Sequence, residues 1–280
     1  MPSLRYVFCD VFTDRPLAGN QLAVFTDARE LAVETMQALA LEVGFSESVF
    51  VLPPEADGDV RIRIFTPRVE LPFAGHPILG TAFVLGAPLQ RDVLRIETGK
   101  DTVAVELERD ELGTIVFGRM TQPVPTVESY PDPDPLLAAL GVDSAEAPVE
   151  RYDNGLRHTF VLVSSPEQVA SLEPDLPALR RLGVMVSCFA GDATTWKTRM
   201  FAPEHGVAED PATGSAAGPL ACHVCRHGRA EWGAWLEIEQ GAEIGRPSAL
   251  FACAHGEKDA IAGVEVGGRA VVVSRGEYRF

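Results

Sequence analysis

Three polar residues stand where their surroundings give them chemical potential. Glu47 lies in FSESVFV, residues 45–51, whose alternation puts it on one strand face with Phe45, Val49 and Val51. A carboxylate among apolar neighbours loses hydration, which penalises its charged form and raises its pKa. Such a group can hold and exchange a proton near neutral pH, as a general acid or base must. Two plainer readings stand beside this one: an ion pair with Arg61 or Arg63 across a following hairpin, or an edge strand that leaves Glu47 in water. The other two residues are His76 and Asp210, each directly before a proline and a run of small and apolar residues. Proline suits the first helical position and aspartate the N-cap, so each pair marks a helix start. Helix starts offer backbone N–H groups and a positive dipole end, which together suit a small anion such as a carboxylate. The plainer reading is that both are simply capped helix starts.

The two helix starts belong to a longer repetition. Residues 63–82 read RIFTPRVELPFAGHPILGTA, and residues 199–218 read RMFAPEHGVAEDPATGSAAG. Two blocks recur in the same order at nearly the same separation, which indicates internal duplication. A period this long means two similar domains rather than a solenoid. The proline-rich stretch TQPVPTVESYPDPDP, residues 121–135, supplies a boundary. The expected halves are 1–120 and 121–280, with the last segment free to return to the first half. If the halves face each other across a pseudo-twofold axis, both helix starts point into one cleft.

The elements that must position these residues are mostly strands. FSESVFV, the turn PPEADGD and VRIRIF form a hairpin signal; HTFVLV near residue 160 and RAVVVSR near 272 also alternate as strands. Residues 28–43 suit an amphipathic helix through Leu31, Met36, Leu39 and Leu41. ILGTAFVLG is apolar almost all round and therefore reads as a buried helix. ATGSAAGPLACHVC forms its counterpart and ends near Gly228. Each interior glycine costs about 1 kcal/mol relative to alanine, so a surrounding sheet must hold these helices.

Bulk properties exclude several classes. The chain of 280 residues carries 40 acidic and 24 basic residues, a net charge of −16. Without clustered Lys and Arg it is a poor partner for nucleic acid or anionic membranes. Five cysteines do not suggest a disulfide scaffold and fit a reducing compartment. The N-terminus lacks a signal-peptide pattern, and no apolar run approaches the roughly 20 residues of a spanning helix. A soluble, cytoplasmic protein is expected. Cys222-x-x-Cys225 with His223 and His227 lacks a second ligand pair and reads as core filling, so no metal site is expected. No glycine-rich nucleotide motif occurs, so no cofactor is expected. Asn154 and His158 in YDNGLRHTF read either as residues that approach the cleft or as a turn before a strand, the turn being favoured, and Asn20 in LAGNQLAVF carries the same ambiguity with a turn between strands.

FSESVFV, FAGHPILGTA, RMFAP, EDPATGSAAG and QGAEIGRPS (residues 240–248) resemble the signature blocks of the PhzF family. These are phenazine-biosynthesis-like isomerases, related to diaminopimelate epimerase and proline racemase. The resemblance implies an α+β, diaminopimelate epimerase-like fold of two similar domains. Each would be a barrel-like, mostly antiparallel sheet around a central helix, with the active site between them and commonly a homodimer. By the same resemblance the acid/base glutamate falls on Glu47, the cleft histidine on His76 and the substrate-binding aspartate on Asp210. The serine of that block falls on Ser215, and backbone N–H groups around Gly75 and Gly214 would hold a substrate carboxylate. The loop carrying Asn20 would lie near the site; Arg246 in GRPS reads, from its own residues, either as a support of the cleft through a carboxylate pair or as part of a surface turn. Ser48 departs from the threonine that the family often has there. The epimerases use two cysteines, one from each half, and neither GHP nor DPATG contains one. The resemblance therefore implies an isomerase that moves a proton between carbons of a small carboxylate-bearing metabolite by a single glutamate. A non-catalytic binding protein on the same scaffold, and an amino-acid racemase or epimerase, are the alternatives.

Overall fold

A computed structural model describes residues 3–279. The chain forms two compact units: the stretch up to Thr121 together with the stretch from Gly267 onward, and Gln122–Val266.

In the first unit β1 (Ser3–Val11) pairs antiparallel with β2 (Asn20–Phe25), which runs parallel to β3 (Glu47–Leu52). A parallel pair needs a long crossover, and α1 (Val33–Val43) supplies it. The helix is shorter than the 28–43 expected from the pattern. Ala28 donates its N–H to the Val51 carbonyl at 2.8 Å, so that backbone is committed to the sheet edge before the helix begins. Strand β3 turns antiparallel into β4 (Val60–Phe65), the expected hairpin. Its loop is gathered by the Glu97 carboxylate, which accepts the N–H groups of Glu55, Ala56 and Gly58. Strand β4 also pairs antiparallel with β5 (Glu70–Leu71) and parallel with β6 (Val93–Glu97). The second crossover is α2 (Gly75–Leu89), and β7 (Thr102–Arg109) and β8 (Ile115–Gln122) continue antiparallel.

The faces of β3 explain why it reads as apolar throughout. Phe50 and Leu52 join Phe25, Phe65, Met36 and Leu39 in a core under α1, with Phe25 and Phe50 stacked 4.7 Å apart. Alternation turns Glu47, Val49 and Val51 the other way, toward α2. Every residue of α2 from Gly75 to Gly86 is buried, as its all-round apolar sequence requires. Strands approach it closely: a β-carbon on Gly80 would lie 2.6 Å from Leu22 Cδ2 and 2.7 Å from Val11 Cγ2.

The second unit repeats the same strand order with an added layer. β9 (Thr126–Ser129), β10 (Glu150–Asp153) and β11 (Arg157–Leu162) pair antiparallel, and β11 runs parallel to β12 (Met185–Asp192). The short helices α3 (Asp134–Leu140), α4 (Pro166–Ala170) and α5 (Leu176–Leu182) cover a core containing Leu136, Val161, Leu179 and Phe201. β12 pairs antiparallel with β13 (Thr195–Ala202), which pairs with the short β14 (Val207–Asp210). The chain then crosses through α6 (Gly214–Arg226) to β15 (Trp235–Gln240), parallel to β13, and on to the antiparallel β16 (Ser248–Glu257) and then to β17 (Ala260–Gly268). Strand, short strand, buried helix, parallel strand: β4-β5-α2-β6 and β13-β14-α6-β15 match step for step. α6 is buried from Gly214 to Cys225, and a β-carbon on Gly218 would lie 2.4 Å from Val264 Cγ1. Gly228, with φ of 66°, follows the helix end as its position suggested.

The final strand, β18 (Ala270–Arg279), returns to the first unit and pairs antiparallel with β1. Among the described residues no helix is long and apolar enough to cross a membrane.

Candidate active site

In the first unit β2 fixes the position of Glu47 through the parallel register Leu22 to Glu47. His76 is the second residue of α2 and is buried. Its Nε2 stands 3.5 Å from Glu47 Oε2. The expected alternative partners are engaged elsewhere: Arg61 pairs with Glu55 at 2.6 Å and Arg63 with Glu70 at 2.6 Å. Burial pushes the Glu47 carboxyl above the ordinary carboxylate range, and a hydrogen bond from the Ser46 side chain opposes that rise. Ser46 Oγ also lies 3.1 Å from Asn20 Oδ1 as a donor. A hydroxyl has one proton, so a bond given to Asn20 is one withheld from Glu47. Asn20, buried at the first position of β2, thus stands two contacts from Glu47.

Gly75 opens α2, with Ala74 as an extended N-cap. Pro77 is therefore the third helical residue rather than the first. The correction costs the helix nothing, because an N–H in the first turn has no intrahelical acceptor to lose.

In the second unit the helix start is built differently. Asp210 is not the N-cap; it closes β14, paired with Met200, and α6 begins at Gly214 after Thr213. Pairing with β13 keeps the backbone extended at Asp210, and the proline that follows disfavours a helical conformation there. Asp210 Oδ2 accepts a hydrogen bond from Thr213 Oγ1 at 2.5 Å. Gln240, from the end of β15, ties the turn together. Its Nε2 donates to the Asp210 carbonyl at 2.8 Å and to Thr213 Oγ1 at 2.9 Å, and its Oε1 accepts the Thr213 N–H at 3.1 Å.

Ser215, second in α6, has its Oγ 3.0 Å from His158 Nε2. Asn154 Nδ2 donates to the Ser215 carbonyl at 2.9 Å, and Gln122 Nε2 to the Gly214 carbonyl at 2.9 Å. Burial lowers the His158 pKa to about 4, so its imidazole is neutral at pH 7. Asn154 and His158, read from sequence as turn residues, are brought to the start of α6. Gln122, Thr213 and Gln240 were missed; Gln240 heads the QGAEIGRPS block, which was the available signal. Arg246 lies in the following turn, its N–H bonded to the Gly241 carbonyl at 2.9 Å.

Each helix start can hold an anion, because Gly75, Gly214 and Ser215 occupy first-turn positions whose N–H groups point along the axis. Thiol chemistry is poorly served. All five cysteines are buried and unpaired with one another. Burial pushes Cys188 and Cys222 up to about 12 and Cys225 up to about 11, and raises Cys9 and Cys253 as well. None is a thiolate poised to take a proton.

Comparison with known proteins identifies the family and the fold. The profile of the family described as "Phenazine biosynthesis-like protein" matches residues 9–276. Over 273 residues the chain is 50% identical to the trans-2,3-dihydro-3-hydroxyanthranilate isomerase of Pseudomonas aeruginosa, covering 97% of this chain and 98% of that one. Its fold is similar to the PhzF-family phenazine biosynthesis protein of Bacillus anthracis, with a TM-score of 0.89 at 24% identity over the whole of both chains. It is also similar to a P. aeruginosa structure described as a predicted epimerase, with a TM-score of 0.83 at 33% identity over 98% of this chain and 99% of that one. The fold is accordingly the α+β, epimerase-like one, and the chain belongs to the phenazine biosynthesis-like (PhzF) family and is an isomerase.

Proposed function

We propose that this isomerase moves a proton between carbons of a small carboxylate-bearing substrate, with Glu47 as the proton carrier. The observation that carries the reading is a carboxyl held by burial above its ordinary pKa, 3.5 Å from an imidazole at the start of a helix. The first substrate to try is trans-2,3-dihydro-3-hydroxyanthranilate, the compound named for the relative that is 50% identical. By the family resemblance, Asp210, Ser215 and the backbone N–H groups at Gly75 and Gly214 are the substrate-binding groups, while His76 tunes Glu47 and Asn20 orients Ser46. Glu47 as carboxylate removes a proton from one carbon, and Glu47 as acid returns it to another. Atoms are conserved, so the product is an isomer, and the chemistry draws on no cofactor. We read the enzyme as a cytoplasmic homodimer, from the family resemblance and composition.

The test is conversion of that compound in heavy water, followed by mass spectrometry, by the wild type and by Glu47→Gln. The reading expects turnover by the dialysed enzyme without added nucleotide, flavin or pyridoxal. It also expects a loss of about 10² to 10⁴ in rate in the variant, the usual worth of general acid–base catalysis. Equal rates in the two proteins would remove Glu47 from the mechanism.

A further inference from the structure

A second cluster of ionisable side chains lies within the second unit and takes no part in the proposed chemistry. Glu150 opens β10, and His223 and His227 lie one turn apart at the end of α6. Glu150 Oε2 is 3.2 Å from His223 Nδ1 and 3.0 Å from His227 Nε2. All three candidate ligand atoms fall within 4.8 Å of one another. Two histidines at i and i+4 face the same side of a helix, the spacing by which helices present imidazole pairs to zinc.

As a hydrogen-bond network alone, the cluster is poorly made. Tyr152 Oη already donates to Glu150 Oε2 at 2.8 Å and His227 shares that oxygen at 3.0 Å. His223 is fully buried, yet neither of its ring nitrogens meets hydrogen-bond geometry with any described residue. Leaving a buried polar group unsatisfied is destabilising. An imidazole with a nitrogen turned toward a carboxylate and a second imidazole is a metal ligand in waiting.

We propose that Glu150, His223 and His227 bind a zinc ion. The separations of 3.0 and 3.2 Å approach the ligand-to-ligand edge of about 3.3 Å that a tetrahedral site with bonds of about 2.0 Å requires. Tyr152, bonded to the carboxylate, orients it from the outer shell. The Arg226 guanidinium approaches the other carboxylate oxygen, Oε1, at 3.6 Å, and its Nη1 donates to the Lys258 carbonyl. Its charge therefore sits on the far side of the carboxylate. His227 keeps 18% of its side chain exposed, which gives the ion a way in. The occupied site would staple β10 to the end of α6, and so stabilise the second unit without entering the reaction.

A second group, Cys253, His255 and Glu265, provides the control. There a single nitrogen, His255 Nε2, faces both the Cys253 sulfur at 3.5 Å and the Glu265 carboxylate at 2.8 Å, and the histidine is exposed. The experiment uses the full chain after chelator treatment, titrated with Zn²⁺ by calorimetry and with Co²⁺ by visible absorption. His227→Gln, Glu150→Gln and His255→Gln are compared with the wild type, their folding checked by circular dichroism. The proposal expects one zinc per chain, a tetrahedral cobalt spectrum, and a rise in thermal midpoint on loading. Affinity should fall at least about tenfold in His227→Gln and Glu150→Gln, and stay unchanged in His255→Gln. No stoichiometric binding by the wild type, or binding lost only in His255→Gln, would overturn it. Undiminished affinity in a folded His227→Gln would do the same.

Discussion

Glu47 Oε2 and His76 Nε2 stand 3.5 Å apart, beyond a good hydrogen bond yet well within reach of each other's charge. Glu47 Oε2 makes no hydrogen bond among the described residues, so no hydrogen bond at that oxygen favours the carboxylate form. A group in that position answers to small changes in its surroundings. Its raised pKa places the acid limb of kcat/KM above the ordinary carboxyl range, with activity lost as pH falls and Glu47 takes up its proton.

Ser46→Ala should move that limb further up. The serine's hydrogen bond lowers the Glu47 pKa against the larger effect of burial, and its removal leaves burial unopposed. A pH–rate profile of the variant beside the wild type checks this; a limb that stays put or moves down would sever Ser46 from Glu47.

Gln240→Ala should destabilise the protein by about 1–3 kcal/mol, because the buried Thr213 N–H loses its acceptor. Denaturant unfolding gives the number. Activity should fall as well, since Asp210 loses the tie to its carbonyl and Thr213 loses the donor that orients its hydroxyl. A variant with wild-type stability and turnover contradicts the role assigned here.

His158 should make the fold acid-sensitive in a defined window. Its folded pKa of about 4 lies below the ordinary 6.5. The unfolded chain takes up a proton below 6.5 that the folded chain refuses, so this contribution is full above pH 6.5. It falls toward pH 4 and is constant below. His158→Gln should flatten stability across that interval, measured as denaturant midpoints at pH 7, 5.5 and 4.

Gly80→Ala should destabilise despite a gain of about 1 kcal/mol in helix propensity. The new methyl would meet Leu22 and Val11 at 2.6 and 2.7 Å, and overpacking of this kind typically costs about 1–3 kcal/mol. A raised thermal midpoint would mean that β1 and β2 yield to the helix more readily than their burial suggests.

What could be read in advance was local. Period-two alternation put Glu47 on the face that turns to α2, and the apolar girth of ILGTAFVLG marked a buried helix. Capping rules misassigned Asp210, because they cannot see that β14 pairs with β13 and holds that residue extended. The partners of the α6 start were out of reach for the same reason. Gln122 bonds to Gly214 across 92 residues of sequence, and Glu150 meets His227 across 77. No window along the chain contains both ends of such contacts. The ambiguity between Arg61, Arg63 and water around Glu47 likewise needed three dimensions, since both arginines turned out to have nearer acidic neighbours.

Strand β18 closes the first unit by lying along β1, whose other edge is held by β2. During synthesis, then, β1 emerges from the ribosome early and waits bare-edged while the whole of the second unit is translated. The first unit must remain half-zipped through that interval, shielded from mispairing, and a nonsense mutation that removes β18 would leave that edge of β1 uncovered.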